Sequence, residues 1–157
     1  MNISFILSAW FIYHSIEYFL HRFSHNPKSG YIYKIHKKHH NKHYPISKLM
    51  SEKYNTDYTY GISDGLLAHG PSTFTIIILF YYLLDYNSWI KLSSCIVLFA
   101  YISDYFHTHI HLKNTWLVKY NFFLKMREIH FNHHRNITKN YNVIDMTIDK
   151  VLETYIP

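Results

Sequence analysis

The sequence predicts an all-α fold, an integral membrane helical bundle with a cytosolic histidine-rich helical cap. Two observations predict it. Apolar residues form long blocks separated by basic stretches, although the mean hydropathy of −0.16 would by itself suit a soluble protein. In addition, ten of the fourteen histidines fall into two copies of one pattern. A chain of 157 residues suits one domain, so residues 1–157 are predicted to fold as a single unit.

The first predicted element is an apolar helix over about residues 3–20, which is long enough to cross most of a bilayer. His14 and Glu17 interrupt it, and ionisable groups within a span usually face the protein interior. The helix is expected to continue into the first histidine pair. The sequence Asn-Pro-Lys-Ser-Gly that begins at Asn26 predicts its end, because proline cannot continue a helix.

The next segments alternate between basic and apolar character. Residues 31–43 predict a strongly basic second helix, and residues 44–71 predict a loop with a short helix at the membrane surface. Residues 72–104 are largely apolar on both sides of a predicted turn at 85–88, so they predict a tight helical hairpin in the membrane. A buried hairpin in a soluble protein is the alternative, but neither arm shows the polar periodicity of an exposed helix face.

The distribution of basic residues predicts the orientation. Lysine and arginine are concentrated between the first span and the hairpin and again after the hairpin. The positive-inside rule therefore places both segments in the cytosol, and three crossings put both copies of the histidine pattern on one face. The net charge of +6 comes without any nucleic-acid-binding motif, so no nucleic-acid partner is expected. The single cysteine excludes an internal disulfide or a cysteine-based zinc site, and no cleavable signal peptide is expected.

Each copy of the histidine pattern is an H-x-x-x-H pair followed by an H-x-x-H-H run. Residues at i, i+3 and i+4 share one face of a helix, so each run is expected to direct its imidazoles to one point. Imidazole suits iron, zinc, copper and nickel, and ten imidazoles are about right for two ions. The predicted metal ligands are His21, His25, His36, His39, His40, His107, His111, His130, His133 and His134.

Four histidines lie outside the pattern. His109 competes with the second pair, but its spacing places it roughly on the opposite side of a helix from His107. For His14 and His109, packing and a ligand or outer-sphere role remain open alternatives. His43 is expected to be a solvated residue at a helix end, and His69 is expected to be structural.

Two metal ions held only by histidines at a membrane surface suggest the oxidation of a lipid, because attack on an unactivated C–H bond needs a redox-active metal. Zinc fits the same ligands but has no redox chemistry, so it would imply hydrolysis with a positioned carboxylate base. Glu128 is the best candidate for such a base. The other alternative is a histidine-rich metal-binding membrane protein without catalytic activity.

These motifs resemble the fatty acid hydroxylase/sterol desaturase superfamily of membrane-bound di-iron oxygenases. The resemblance rests on the segments 21–25, 33–40 and 130–134, and it extends to a tail similar to the family's N-Y-G and D-x-x-F-G-T-Y sequences. In that tail, Asn142 and Glu153 stand where glycine is usual.

The resemblance implies two iron ions, with zinc as an alternative in isolated protein, and it implies no catalytic residues beyond the ligands. It also implies O2, a lipid substrate, and a separate electron donor such as a cytochrome b5-like protein. The product would be a hydroxylated or desaturated fatty acyl chain, sphingolipid, sterol or carotenoid. The expected location is the endoplasmic reticulum or an equivalent membrane, with the histidine motifs facing the cytosol.

Overall fold

The computed structural model describes residues 3–57 and 63–157, and these residues form helices and loops with no β-strand beyond one isolated bridge. The predicted all-α class is therefore confirmed. The α-helices are α1 (Ile3–Ser24), α2 (Tyr31–Lys38), α3 (Asp64–Leu83), α4 (Tyr86–Ile110), α5 (Asn121–Arg135) and α6 (Thr147–Val151). Helices α1, α3 and α4 make up the apolar bundle, and the remaining helices pack at its histidine-bearing end.

Helix α1 runs without interruption from the apolar stretch into the first histidine pair, as expected, and ends just before His25. The predicted stop is a short 3₁₀ turn at Pro27–Ser29, where the Asn26 side chain accepts a hydrogen bond from the Lys28 backbone N–H. Gly30 follows with a φ of 63°, a conformation that favours glycine. The chain therefore reverses sharply, and α2 returns beside α1.

The second predicted helix is present, but it is not regular throughout. α2 ends at Lys38 and continues as a π-helix over His39–His43, in which Tyr44 N donates to His39 O at 2.9 Å. Short π-helical segments often occur at functional sites. Here the wider turn begins at the second histidine of the first H-x-x-H-H run, where it changes the direction in which the following side chains point.

The hairpin is longer than its predicted limits of 72–104. α3 starts at Asp64, eight residues before the expected start, and it includes Pro71, so the expectation of a loop up to residue 71 is wrong for this part. Gly61, the first glycine of the expected loop, lies outside the described residues. The turn is also shorter than expected, because α4 already begins at Tyr86 and is capped by Asp85, which accepts from Ser88 N at 3.0 Å.

The apolar bundle has a small core and a wide apolar exterior. Buried Ala9 and Tyr13 of α1 pack against Leu92 and Ile96 of α4, while apolar side chains on the outer faces of all three helices remain exposed. α1 and α4 are long and apolar enough to cross a membrane, whereas the apolar part of α3, Leu67–Leu83, is shorter. An exposed apolar exterior of this kind is what a bundle in lipid requires.

The C-terminal tail folds over the histidine-bearing end through buried polar contacts. The Asp149 carboxylate accepts hydrogen bonds from the backbone N–H groups of Tyr141 and Asn142 and from the Thr154 hydroxyl, each at 2.8 Å. Asn140 bonds to the backbone of Ile156 in both directions. These contacts fix the loop at 139–142 beside α1 and α5.

Glu153 adopts a φ of 57°, which explains why glycine is usual at this position of the tail motif. The Glu153 side chain is exposed, so its removal costs little packing energy. We expect Glu153→Gly to raise the thermal unfolding midpoint of the detergent-purified protein by about 1–3 °C, since relief of left-handed strain outweighs the entropy of glycine. Glu153→Ala retains the Cβ and should give no gain, and a gain with alanine would contradict the backbone explanation.

Candidate metal centre

Nine of the described histidines converge into two groups, within each of which the candidate ligand nitrogens all lie within 4.8 Å of one another. Nitrogens that bind one ion at about 2.1 Å are separated by up to about 4 Å, so the dimensions of each group are close to those of a single-ion site. Group one consists of His21, His25, His36, His40 and His133. Group two consists of His39, His111, His130 and His134.

The two H-x-x-H-H runs exchange their middle histidines, contrary to the expectation that each run converges on one point. His36 and His40 of the first run join group one, whereas His39 joins group two. In the second run His130 and His134 join group two, whereas His133 joins group one. Side chains four residues apart on a helix project in nearly the same direction and those three apart diverge, so each run can bridge two adjacent sites. The sequence duplication thus produces two similar, interlocked sites.

In group one, backbone carbonyls of the tail loop orient two imidazoles. His21 Nδ1 donates to Tyr141 O, and His133 Nδ1 donates to Lys139 O at 2.6 Å. A carbonyl can only accept, so the proton sits on Nδ1 and the Nε2 lone pair is left free. The His133 Nε2 atom lies 3.2 Å from the Nε2 atoms of both His25 and His40. The loop therefore presets the imidazoles in the form that binds a metal.

In group two, the loop after the π-helix plays the same role. His111 Nδ1 donates to Leu49 O at 2.8 Å, and His134 Nδ1 donates to Tyr44 O at 3.1 Å. Their Nε2 lone pairs both face His130 Nε2, at 3.1 and 3.2 Å. His130 has only one proton to offer at that atom, and His39 Nε2 is buried with no hydrogen-bond partner in the part of the chain that the structure describes. A bound cation would satisfy this surplus of lone pairs, so the residues fit a metal ion.

The electrostatic environment keeps these imidazoles neutral. Burial lowers the pKa of His25 to about 4 and that of His134 to about 3. Burial, reinforced by repulsion from neighbouring imidazoles, also lowers the pKa of further ligands well below 6.5, namely His36, His39, His40, His111, His130 and His133. Neutral imidazole is the metal-binding form, so both groups are ready to bind a metal at neutral pH.

His107 and His109 differ as the spacing predicts, although His107 is not a full member of group two. The His107 ring lies 4.8 Å from the rings of His39 and His130, beside the group. His109 instead bonds through Nδ1 to the Thr115 hydroxyl at 2.7 Å and stacks near Tyr105. Nine of the ten predicted ligands therefore belong to the two groups, and His107 is adjacent to them.

Asp64 is a site residue that the sequence did not reveal. Its carboxylate contacts His39 Nδ1 at 3.3 Å and His43 Nδ1 at 2.8 Å, and it accepts from the Thr56 hydroxyl. It thus orients a group-two imidazole, as carboxylates commonly do around metals. His43 is buried in this contact, so the expectation of a solvated histidine is wrong.

A buried polar network connects α1 to α4 and to the tail. The Glu17 carboxylate contacts His14 Nδ1 at 3.3 Å and accepts from Tyr13 OH, Ser103 Oγ and Asn142 Nδ2. This answers the open question about His14, which serves a structural contact and belongs to neither group. Asn142 is the other tail residue that stands where glycine is usual. Its side-chain amide donates to Glu17 Oε2 and to the His14 carbonyl.

A cavity of about 350 Å³ leads from the two histidine groups into the apolar bundle between α1, α3 and α4. His21, His36, His39 and His107 line its inner end. Its outer wall includes Phe74, Val97 and Tyr101, which are among the exposed apolar side chains of α3 and α4. The cavity therefore connects the histidine groups with the surface that would face lipid.

The Asp149 carboxylate supports group one through the tail loop. In Asp149→Asn, an amide N–H₂ would oppose one of the backbone N–H donors of Tyr141 and Asn142, leaving a buried donor unpaired at a cost of about 1–3 kcal/mol. We expect the variant to lose metal from group one first, because the carbonyls that orient His21 and His133 move with this loop. Metal content of the purified variant measures this, with Asp145→Asn at an exposed turn contact as the control. Undiminished metal binding in Asp149→Asn would contradict it.

The sequence profile of the fatty acid hydroxylase family matches residues 6–154 of the chain. This range includes both histidine groups, the cavity and most of the tail. No curated protein and no solved structure matches the chain.

Proposed function

This chain belongs to the fatty acid hydroxylase family, and we propose that it is a membrane-bound di-iron oxygenase that hydroxylates or desaturates a lipid with O2. Membership supports a metal-dependent enzyme of lipid hydroxylase or desaturase type in general. The proposal adds two irons, one in each histidine group, and a lipid held in the cavity. The observation that carries it is the cavity itself, because it joins nine converging imidazoles to an apolar surface.

Iron accounts for the proposed reaction better than zinc does, although both metals fit the ligand set. Imidazole binds both, but only a redox-active metal supplies the activation of O2 that C–H oxidation requires. Glu128, the candidate base for a zinc hydrolase, is exposed and pairs with Arg135 at 2.8 Å, on the surface and away from both groups. The chain's own contribution is to hold the nine imidazoles of the two groups together and to keep them neutral.

The surface of α2 supports the proposal of a separate electron donor, such as a cytochrome b5-like protein. A groove on this surface is lined by Lys34, Lys37, Lys38 and Lys42, of which Lys38 and Lys42 also pair with Asp57. The same helical segment carries His36, His39 and His40 on its buried side. An acidic donor docked in the groove would lie one helix diameter from the metal groups. Charge complementarity of this kind favours rapid, specific docking.

The membrane placement is part of the proposal. α1 and α4 would cross the bilayer with α3 beside them as a third, shorter crossing, and the histidine-bearing end would face the cytosol of the endoplasmic reticulum or an equivalent membrane. The basic residues of α2 and α5 at that end agree with the positive-inside rule.

Two measurements on the wild-type chain, one on purified protein and one in an expressing host, test the proposal. Metal analysis should give about two irons per chain, whereas a variable load of mixed metals would favour the non-catalytic metal-binding alternative. Lipid analysis of a host that expresses the chain should reveal oxidised products whose formation needs both O2 and a reductant. Activity that persists without O2 would instead indicate hydrolysis and would overturn the proposal.

A further inference from the structure

The residues that line the cavity change from polar to mostly apolar with distance from the two histidine groups. An ideal Cβ on Gly65 would lie 3.7 Å from His107 Nδ1, so the start of α3 is level with the histidines of α4. One helical turn further out, about 5.4 Å, the cavity is lined by Glu17 of α1, His69 of α3 and Ser103 of α4. Beyond this polar belt the lining is mostly apolar.

Within the polar belt, Glu17 and Ser103 are already bonded to the protein. Glu17 Oε1 accepts from Tyr13 and Ser103, and Glu17 Oε2 accepts from Asn142. His69 differs, because its Nε2 atom is buried and has no hydrogen-bond partner among the described residues. Its ring lies 6.1 Å from that of His21, yet His69 is not a member of either metal group.

We propose that His69 is a positioning residue that forms a hydrogen bond with an oxygen atom of the substrate. A buried ring nitrogen without a partner is unfavourable, and rotation of the His69 ring toward a polar atom of a cavity ligand would remove that cost. The inference rests on the proposed function for the statement that the inner end of the cavity is where oxidation occurs. It replaces the earlier expectation that His69 is only structural.

The position of His69 restricts the class of substrate. The hydrogen-bonding oxygen would sit one helical turn from the metals, the carbon to be oxidised would lie inward of it, and an apolar body would extend outward past Phe74 and Val97. This describes an amphiphile whose hydroxyl or carbonyl oxygen is a few bonds from the oxidised carbon. A methylene in the middle of a saturated chain, far from any oxygen, does not fit.

A matched pair of probes tests the inference without requiring turnover. The full chain, loaded with metal and purified in detergent, is titrated with 1-dodecanol or with 1-chlorododecane, and the affinity is obtained from the rise of the thermal midpoint with probe concentration. We expect wild type to bind the alcohol about tenfold more tightly, as one desolvated hydrogen bond predicts. His69→Leu should abolish this preference, whereas His69→Gln, which can still form hydrogen bonds, should retain most of it.

His109→Leu is the control, because His109 bonds to Thr115 outside the cavity and its loss should leave the preference intact. His69→Met replaces the leucine variant if that variant does not fold. Equal binding of the two probes by wild type, no binding of either, or a preference that survives His69→Leu would overturn the inference. Loss of metal in His69→Gln would also overturn it, since His69 would then be a ligand. Failure of the proposed function is seen separately, as missing iron or missing oxidised lipid in wild type.

Discussion

Replacing His133 with alanine is expected to abolish lipid oxidation and to reduce the iron content from two ions per chain to about one. His133 Nε2 lies 3.2 Å from the Nε2 atoms of both His25 and His40, at the centre of group one, and its ring is fully buried. Removing a group that only orients a metal ligand commonly lowers metal affinity or activity by about 10–100-fold. Removing the ligand itself should therefore lower activity by at least about 100-fold. Elemental analysis and quantification of oxidised host lipids measure the two effects.

His109→Ala is the matched control for this experiment. His109 also lies at the histidine-bearing end of the bundle, but it contacts Thr115 and Tyr105 and belongs to neither group. The control should retain two irons and most of the activity. A His133→Ala variant that still oxidises lipid at the wild-type rate would show that group one is not required and would remove the basis of the proposed mechanism.

The candidate ligand histidines could be predicted from the sequence because helical periodicity places the histidines of each run on one side of a helix. An H-x-x-H-H run on a helix must project its imidazoles from one side, and two such runs at one end of a bundle can only meet. The family profile confirms the resemblance that these runs carry. The choice of His111 over His109 followed from the same periodicity.

The exchange of His39 and His133 between the groups could not be predicted, because it depends on how α2 and α5 cross and on the π-helix at His39. The carbonyl acceptors on Tyr44 and Lys139 have no sequence signal at all, since every residue has a carbonyl. Asp64 looks like an ordinary residue at a helix start until the fold places His39 and His43 beside it.

The start of α3 was missed for a related reason. Pro71 and the nearby glycines predict a loop, and proline within a helix is costly. Tertiary contacts outweigh that local preference. Asp64 is anchored by histidines, and the absence of a side chain on Gly65 lets α3 pack closely against Asp104, whose Oδ1 atom lies 3.1 Å from the place where a Cβ on Gly65 would be.

Ala100→Trp is expected to abolish lipid oxidation while leaving both irons bound. Ala100 lines the cavity on α4 between Val97 and Ser103, where the polar belt gives way to the apolar portion. An indole at this position would obstruct the cavity of about 350 Å³ through which a lipid chain would pass, but it lies about two helical turns from the histidines. Iron content and helical content should therefore match wild type, whereas oxidised lipid should fall by about two orders of magnitude.

Two variants make this result specific to the cavity. Leu98→Trp places the same indole on an exposed face of α4, where lipid accepts it, and should leave activity close to wild type. Ala100→Leu adds less volume and should give an intermediate loss, with a packing cost of about 1–3 kcal/mol at most. Iron content and oxidised lipid are measured separately in these experiments. Full activity in Ala100→Trp would therefore exclude this cavity as the lipid path without contradicting the metal centre. Graded loss from leucine to tryptophan would instead establish that the lipid reaches the histidines through the bundle.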